Sequence, residues 1–178
     1  MAMPIPTLET DRLILRAPAP EDFPDYVRFC ADEETMRFIG GVMSPAVAWR
    51  SWCVLAGSWT IRGFSMLSVI EKSTGRWVGR MGPWQPEGWP GTEVAWGLSR
   101  EARGQGYATE GAAACVDYAF ETLGWDEVIH TIEAPNTASQ NVARRVGSTL
   151  LRSGRLPDPY DLEVDVWGQS REAWSSRR

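Results

Sequence analysis

The chain has 178 residues, 43% apolar and 23% charged, a balance that suits one globular domain burying roughly two thirds of its unfolded surface. A formal net charge of −5, with nothing more basic at an end than Arg177-Arg178, argues against nucleic acid or an anionic membrane as the main partner. No run reaches the length of a membrane span, and Met1-Ala2-Met3-Pro4 lacks the basic and apolar regions of a signal peptide. Cys30, Cys53 and Cys115 are odd in number, widely spaced and set in apolar helical surroundings, which predicts reduced core thiols in a cytosolic protein. With a single histidine and no clustered thiols, no metal site is expected.

In chain order, residues 8–16 read as a strand, with Leu13 and Leu15 alternating against Arg12, Ile14 and Arg16. Pro18-Ala19-Pro20-Glu21-Asp22 opens a helix towards Ala31, with acidic residues in its first turn as the dipole prefers. A second helical piece over 33–39 stops at Gly40-Gly41, and Ser44-Pro45 caps a third whose Trp49, Trp52, Cys53 and Ala56 recur at helical spacing. Strands over 64–71 and 76–81 flank Lys72-Ser73-Thr74-Gly75, a hairpin signal. A loop over 83–91 carries Trp84 and Trp89, and a fourth strand runs over 92–98. A glycine loop leads into a helix over 110–123, ended by Gly124. A fifth strand over 127–133 breaks at Pro135-Asn136, and a short helix over 137–146 ends at Gly147. Two strands, over 148–153 and 162–168, close the chain. Strands that come first as hairpins and later alternate with helices predict a mixed α/β (α+β) sheet covered by helices, in a single domain over 1–178 without repeats or linkers.

Arg103-Gly104-Gln105-Gly106-Tyr107-Ala108-Thr109 joins the fourth strand to the long helix. Glycines at 104 and 106 remove two Cβ atoms where the backbone must curl, so successive N–H groups can point at one anion. The first helical turn adds unpaired N–H donors and the positive end of its dipole. That construction suits a diphosphate, although a tight strand-to-helix turn uses the same glycines for geometry alone. A dinucleotide loop needs a third glycine at position 109, where threonine stands, and prefers the first strand–helix unit of its domain.

A coenzyme A pyrophosphate loop is the third reading, and here the chain resembles the Gcn5-related N-acetyltransferases (GNAT). Arg103-x-x-Gly106-x-Ala108 matches their Gln/Arg-x-x-Gly-x-Gly/Ala signature. Leu8-Glu9-Thr10-Asp11-Arg12-Leu13-Ile14-Leu15-Arg16 resembles the opening of the RimJ/RimL-like subgroup, and the run from Arg103 to Glu110 resembles its Arg-Gly-x-Gly-Tyr-Ala-Thr-Glu. Asn136-x-x-Ser139-x-Asn141-Val142-Ala143 with Val146-Gly147, and then Asp165-Val166-Trp167-Gly168 through Arg171-Glu172-x-Trp174, are similar to its later segments. The resemblance covers about residues 8–174.

The resemblance implies a GNAT-type fold, a mixed, mostly antiparallel twisted sheet of about seven strands with helices on both faces. It implies acetyl-CoA as cosubstrate, with its pantetheine arm between splayed fourth and fifth strands. Backbone from Trp96 to Leu98 would hold that arm. Arg103, Gly104, Gln105, Gly106, Tyr107, Ala108 and Thr109 would hold the pyrophosphate, with Asn136 and Asn141 at the exit of the fifth strand. Since backbone N–H groups are the physical requirement, the side chains at 105 and 107 should matter little. For the base, Glu93 shares a strand face with the small Ala95 and Gly97, which leaves room for an amine; a solvated or paired sheet carboxylate fits the same position. Glu133 is the second candidate. Many relatives place a tyrosine, the acid for the departing thiolate, where this chain has Ala143, and Ser139 is the hydroxyl left to assist. Both Ser139 and Asn136 also suit helix capping. His130, mid-strand, reads as a hydrogen-bonded structural residue.

Of the ten tryptophans, Trp49, Trp52 and Trp59 fall on the early helices that cover the acceptor site in relatives and Trp84 and Trp89 on the loop into the fourth strand, and most of the ten suit core or homodimer packing. The acceptor expected is an amine, either a protein N-terminus or a small molecule, and the acidic surface favours a cationic one. The rival reading is a non-catalytic module that binds acyl-CoA as a sensor.

Overall fold

The computed structural model describes residues 5–177; Met1–Pro4, where no signal peptide is expected, and Arg178 lie outside the described residues. One eight-stranded sheet carries the molecule, in the order β1-β2-β3-β4-β5-β6-β8-β7. The strands are β1 (Leu8–Glu9), β2 (Leu13–Arg16), β3 (Leu67–Glu71), β4 (Trp77–Trp84), β5 (Glu93–Leu98), β6 (Glu127–Ile132), β7 (Thr149–Arg155) and β8 (Glu163–Ser170). Every neighbouring pair is antiparallel except β5 and β6.

The count exceeds the expected seven because residues 8–16 form a small hairpin rather than one strand. Leu8 lies opposite Leu15, and Thr10 makes the turn: its N–H donates to the Leu13 carbonyl at 3.0 Å and its hydroxyl accepts from the Leu13 N–H at 3.0 Å. A threonine side chain that bonds nearby backbone competes with an extended ladder. Trp84, expected in a loop, ends β4 and lies opposite Glu93. A short final helix, α6 (Arg171–Ser175), was not foreseen; the Ser170 side chain caps it by accepting from Ala173 N–H at 3.1 Å.

Helices cover both faces. On one side α1 (Phe23–Ala31), α2 (Glu33–Met36) and α3 (Pro45–Arg62) bury Tyr26, Phe29, Cys30, Met36, Trp52 and Leu55 against Ile70 and Trp77. On the other, α4 (Tyr107–Glu121) buries Cys115, Val116, Ala119 and Phe120 against Leu13, Leu15, Val69, Met81 and Val94. The α3 face differs from the expected one. Ala48, Trp52, Leu55 and Trp59 point inward, whereas Trp49, Cys53 and Ala56 are exposed, so only Cys30 and Cys115 are core thiols. Apolar residues lie nearly all round this helix, and its pattern alone does not select a buried face. Among the described residues, no helix is long and apolar enough to cross a membrane.

Close approach of α4 to the sheet depends on Gly111. A Cβ there would overlap Met81 Sδ and sit 3.1 Å from Met81 Cε and 3.4 Å from Leu13 Cδ1. Overpacking of this kind costs about 1–3 kcal/mol, so Gly111→Ala should lower the unfolding free energy by that amount in urea titrations, despite the better helix propensity of alanine.

Candidate active site

The parallel pair of β5 and β6 starts as an ordinary ladder, with Glu93 in register with Ile129 and the Ile129 N–H bonded to the Thr92 carbonyl at 2.9 Å. It then opens, and side chains fill the next two rungs. Glu93 Oε1 accepts from the Thr131 N–H at 2.7 Å, and His130 Nδ1 donates to the Val94 carbonyl at 2.7 Å. Past that point Ala95 and Trp96 keep partial exposure although they sit in the middle of the sheet. Since Thr92 and Val94 face β6, the period of two turns the Trp96 and Leu98 backbone towards the same opening.

Glu93 stands at the closed end of this opening and is only 3% exposed. Besides the Thr131 N–H, it accepts from the Thr131 hydroxyl at 3.0 Å and, through Oε2, from Trp89 Nε1 at 2.5 Å. Burial pushes its pKa up to about 7, against the downward pull of those donors and of the Arg80 charge. A carboxyl held there changes charge near neutral pH. His130 differs: with Nδ1–H on a carbonyl, Nε2 accepts from the Ser148 hydroxyl at 2.9 Å, and Ser148 Oγ accepts from Gln169 Nε2 at 3.1 Å. Burial brings its pKa down to about 4, so the ring is neutral and fully engaged.

The glycine loop lies beyond the open end of β5, after a turn at Arg100–Ala102. Gly104 (φ 73) and Gly106 (φ 81) both use left-handed backbone, and Gly106 is the N-cap of α4. The first N–H groups of α4, at Tyr107, Ala108 and Thr109, have no partner within the helix. Loop side chains turn towards the scaffold. Arg103 binds Glu34 Oε1 at 3.0 Å and Thr35 Oγ1 at 2.9 Å, and Gln105 Nε2 binds the Glu101 carbonyl at 3.1 Å. Tyr107, buried, donates to Glu71 Oε1 at 2.6 Å. From below, Arg12 bonds the Gln105 carbonyl at 2.8 Å, pairs with Glu110 at 2.7 Å and covers the Tyr107 ring. What remains free is backbone, with no atom within 4 Å of a Cβ built on Gly104. That fits a diphosphate bound by amides.

Across the opening lies α5 (Thr137–Arg145). Asn136 caps it, with Oδ1 accepting from the Ser139 N–H at 3.1 Å, while Ser139 Oγ accepts from Trp96 Nε1 at 3.3 Å. Ala143 is buried against Ile132 and Trp167. Asn141 is exposed and accepts from Arg144 Nη1 at 3.0 Å. Glu133, two residues beyond Thr131, lines a cleft of about 760 Å³ with Ser153, Arg155, Glu163 and Asp165. Sequence reasoning gave no role to Thr131, Arg12, Glu71 and Arg80; only Arg12 lies in a quoted motif, and each acts on a residue distant in the chain.

Residues 12–149 match the family described as Acetyltransferase (GNAT) domain. The chain belongs to the GNAT acetyltransferase family. The uncharacterized protein YkkB of Bacillus subtilis is 30% identical over 148 residues, covering 79% of this chain and 83% of that protein. A crystal structure of an acetyltransferase from Agrobacterium tumefaciens is 32% identical with a TM-score of 0.83, covering 95% of this chain and 96% of the other. RimL, a ribosomal L7/L12 alpha-N-protein acetyltransferase solved with coenzyme A, shares the fold at a TM-score of 0.76 and 16% identity, over 94% of this chain and 99% of that one. As a GNAT acetyltransferase, the protein is an enzyme that uses acetyl-CoA to acetylate an amine.

Trp89 bonds the Glu93 carboxylate and so favours its charged form. Removing that donor in Trp89→Phe should raise the Glu93 pKa. An NMR titration of the carboxyl should show the midpoint displaced to higher pH than in wild type.

Proposed function

We propose that this enzyme works as a single catalytic domain and moves the acetyl group directly to a primary amine, with Glu93 as general base. The observation that carries this is the buried Glu93 carboxyl, titrating at about 7, at the closed end of an opening whose other end leads to an amide-lined glycine loop. Acetyl-CoA supplies an acyl group already activated as a thioester. The backbone of Trp96 and Leu98 would hold its pantetheine arm; the amides from Arg103 to Thr109 would hold its pyrophosphate. Transfer forms a C–N bond to the amine as the C–S bond breaks, so the protein must orient the amine and remove its proton. Ionised Glu93 keeps a lone pair beyond those used by Thr131 and Trp89, and takes that proton directly or through one water.

Ser139, already bonded to the Trp96 indole beside the opening, is suited to donate to the departing thiolate. Asn136 supports it by capping the helix that carries it, and Asn141 stands on the coenzyme side of the same helix in this reading. The Arg-Gly-x-Gly-Tyr-Ala-Thr-Glu run favours the RimJ/RimL-like subgroup, and so acceptors among protein N-termini and small amines. Three free cysteines suit a reducing cytoplasm, and a homodimer remains compatible with the exposed tryptophan on α3. Calorimetric titration of acetyl-CoA, followed by thiol release against amines and N-terminal peptides, tests the reading. Binding with release for one acceptor class is expected; no binding overturns the coenzyme site.

A further inference from the structure

On the sheet face that carries Glu93, β4 supplies Arg80, which lies opposite Gly97. Next to that pair come Gly82 opposite Ala95, then Trp84 opposite Glu93. The face is therefore a shallow floor of small residues with a cation towards one end and a carboxyl at the other. Ala95 keeps partial exposure, so solvent reaches the floor, whereas Gly97 is closed over by Phe29 and Ile39, each within about 3 Å of where its Cβ would stand.

The Arg80 guanidinium is poorly provided for. Nε is buried and has no hydrogen-bond partner among the described residues. Nη1 meets only the Met66 thioether, and the guanidinium carbon lies 5.9 Å from the centre of the Phe29 ring. The Met66 backbone stands beside Gly82, one row nearer Glu93, so the Nη1 contact leans along the floor, and the charge is felt by the Glu93 carboxyl as well as by Tyr26 and Cys30 on α1. Among the described residues no carboxylate comes within ion-pair distance of Arg80, while Arg12, Arg16, Arg100, Arg103 and Arg155 all have one. A half-buried cation set between a thioether and a phenyl ring is costly unless an anion completes it. Glu93 bonds Trp89 and Thr131 and does not come within ion-pair distance of Arg80, so that anion is not Glu93.

We propose that the acceptor is an amine that also bears a carboxylate, seated on Arg80 while its amino group stands at Glu93. This rests on the catalytic reading above. Two steps of two residues, about 13 Å along the strand, separate the row of Arg80 and Gly97 from that of Trp84 and Glu93, and the long Arg80 side chain, in contact with Met66 one row nearer, closes about half of that. An α- or β-amino acid with one hydrogen bond of about 2.8 Å at each end spans the remainder. The guanidinium fork suits a carboxylate, and a cation nearby lowers the amine pKa, which leaves more of the nucleophile unprotonated.

The test pairs glycine, β-alanine, L-methionine and L-phenylalanine each with its carboxamide in the thiol-release assay, using wild type, Arg80→Met and Arg80→Lys, with acetyl-CoA calorimetry on each. At least one free acid should exceed its carboxamide by about tenfold or more in wild-type kcat/KM. Arg80→Met should erase that preference with coenzyme affinity unchanged, since any rise in the Glu93 pKa on losing the cation slows acid and carboxamide alike, and Arg80→Lys should recover part of it. Equal rates for acid and carboxamide in wild type, or an equal loss of both in Arg80→Met, overturns the proposal. Should coenzyme bind without turnover, the Arg80 Nε–H resonance, assigned by its absence from Arg80→Met, decides the matter. Its shift on adding the four amino acids, but not their carboxamides, supports the assignment; a resonance that stays still refutes it. Failure to bind acetyl-CoA would instead remove the catalytic reading, and the resonance titration still reports on Arg80 alone.

Discussion

Glu93→Gln should lower kcat by about 10²–10⁴-fold and leave acetyl-CoA affinity unchanged, because the substitution removes the proposed proton acceptor and touches nothing in the glycine loop. The glutamine carbonyl can still accept from the Thr131 N–H, but its NH₂ faces the Trp89 donor, so thermal unfolding has to accompany the kinetics. Wild-type kcat/KM should rise with pH through about 7 and then level, as the carboxyl ionises. The variant should lose that step. A full-strength pH step in Glu93→Gln would assign the base elsewhere.

The same carboxyl leaves a signature in stability. Its folded pKa of about 7 lies above the ordinary 4.5, so folding takes up a proton, and the stability this contributes is complete below about 4.5 and lost as pH rises through 7. His130 acts in the opposite sense. Its pKa falls from 6.5 to about 4 on burial, so stability is gained as pH rises between those values. Each shift is worth about 3 kcal/mol, and in wild type the two nearly cancel between pH 4.5 and 6.5. Glu93→Gln should unmask the histidine, giving a urea-unfolding free energy that climbs with pH across that range.

The second large effect is expected at Gly106. Its φ of 81 is a conformation that a β-branched residue rarely adopts, and holding one there costs about 1–3 kcal/mol. A Cβ would sit 3.4 Å from Arg12 Nη2, so bulk below the loop is not the obstacle. The strain and the added side chain at the start of α4 are, since that is where the proposed diphosphate site needs its amides close. Gly106→Val should weaken acetyl-CoA binding about 10- to 100-fold by calorimetry and change saturated turnover far less. Gln105→Ala is the matched control. Its side chain bonds the Glu101 carbonyl, so coenzyme affinity should hold.

Much of this enzyme is written locally. Gly104 and Gly106 with the alanine-rich run after them announce a loop whose free amides suit an anion, and the order of hairpins followed by alternating helices announces the mixed sheet. Those signals depend on backbone sterics and on periods of two and 3.6 residues, which neighbours in the chain settle between them. The rest needed pairing across the sheet. Thr10 turned one strand into two, α3 chose its buried face from what lay beneath it, and Trp84 joined β4 because β5 extends alongside. Above all, the sequence named Glu93 as a carboxylate with room beside it, while its pKa came from Trp89 and Thr131, and Arg80 acquired its meaning from the residues that fail to pair with it. Local sterics set where the chain turns; burial and partners, which only the folded arrangement supplies, set what its charged groups can do.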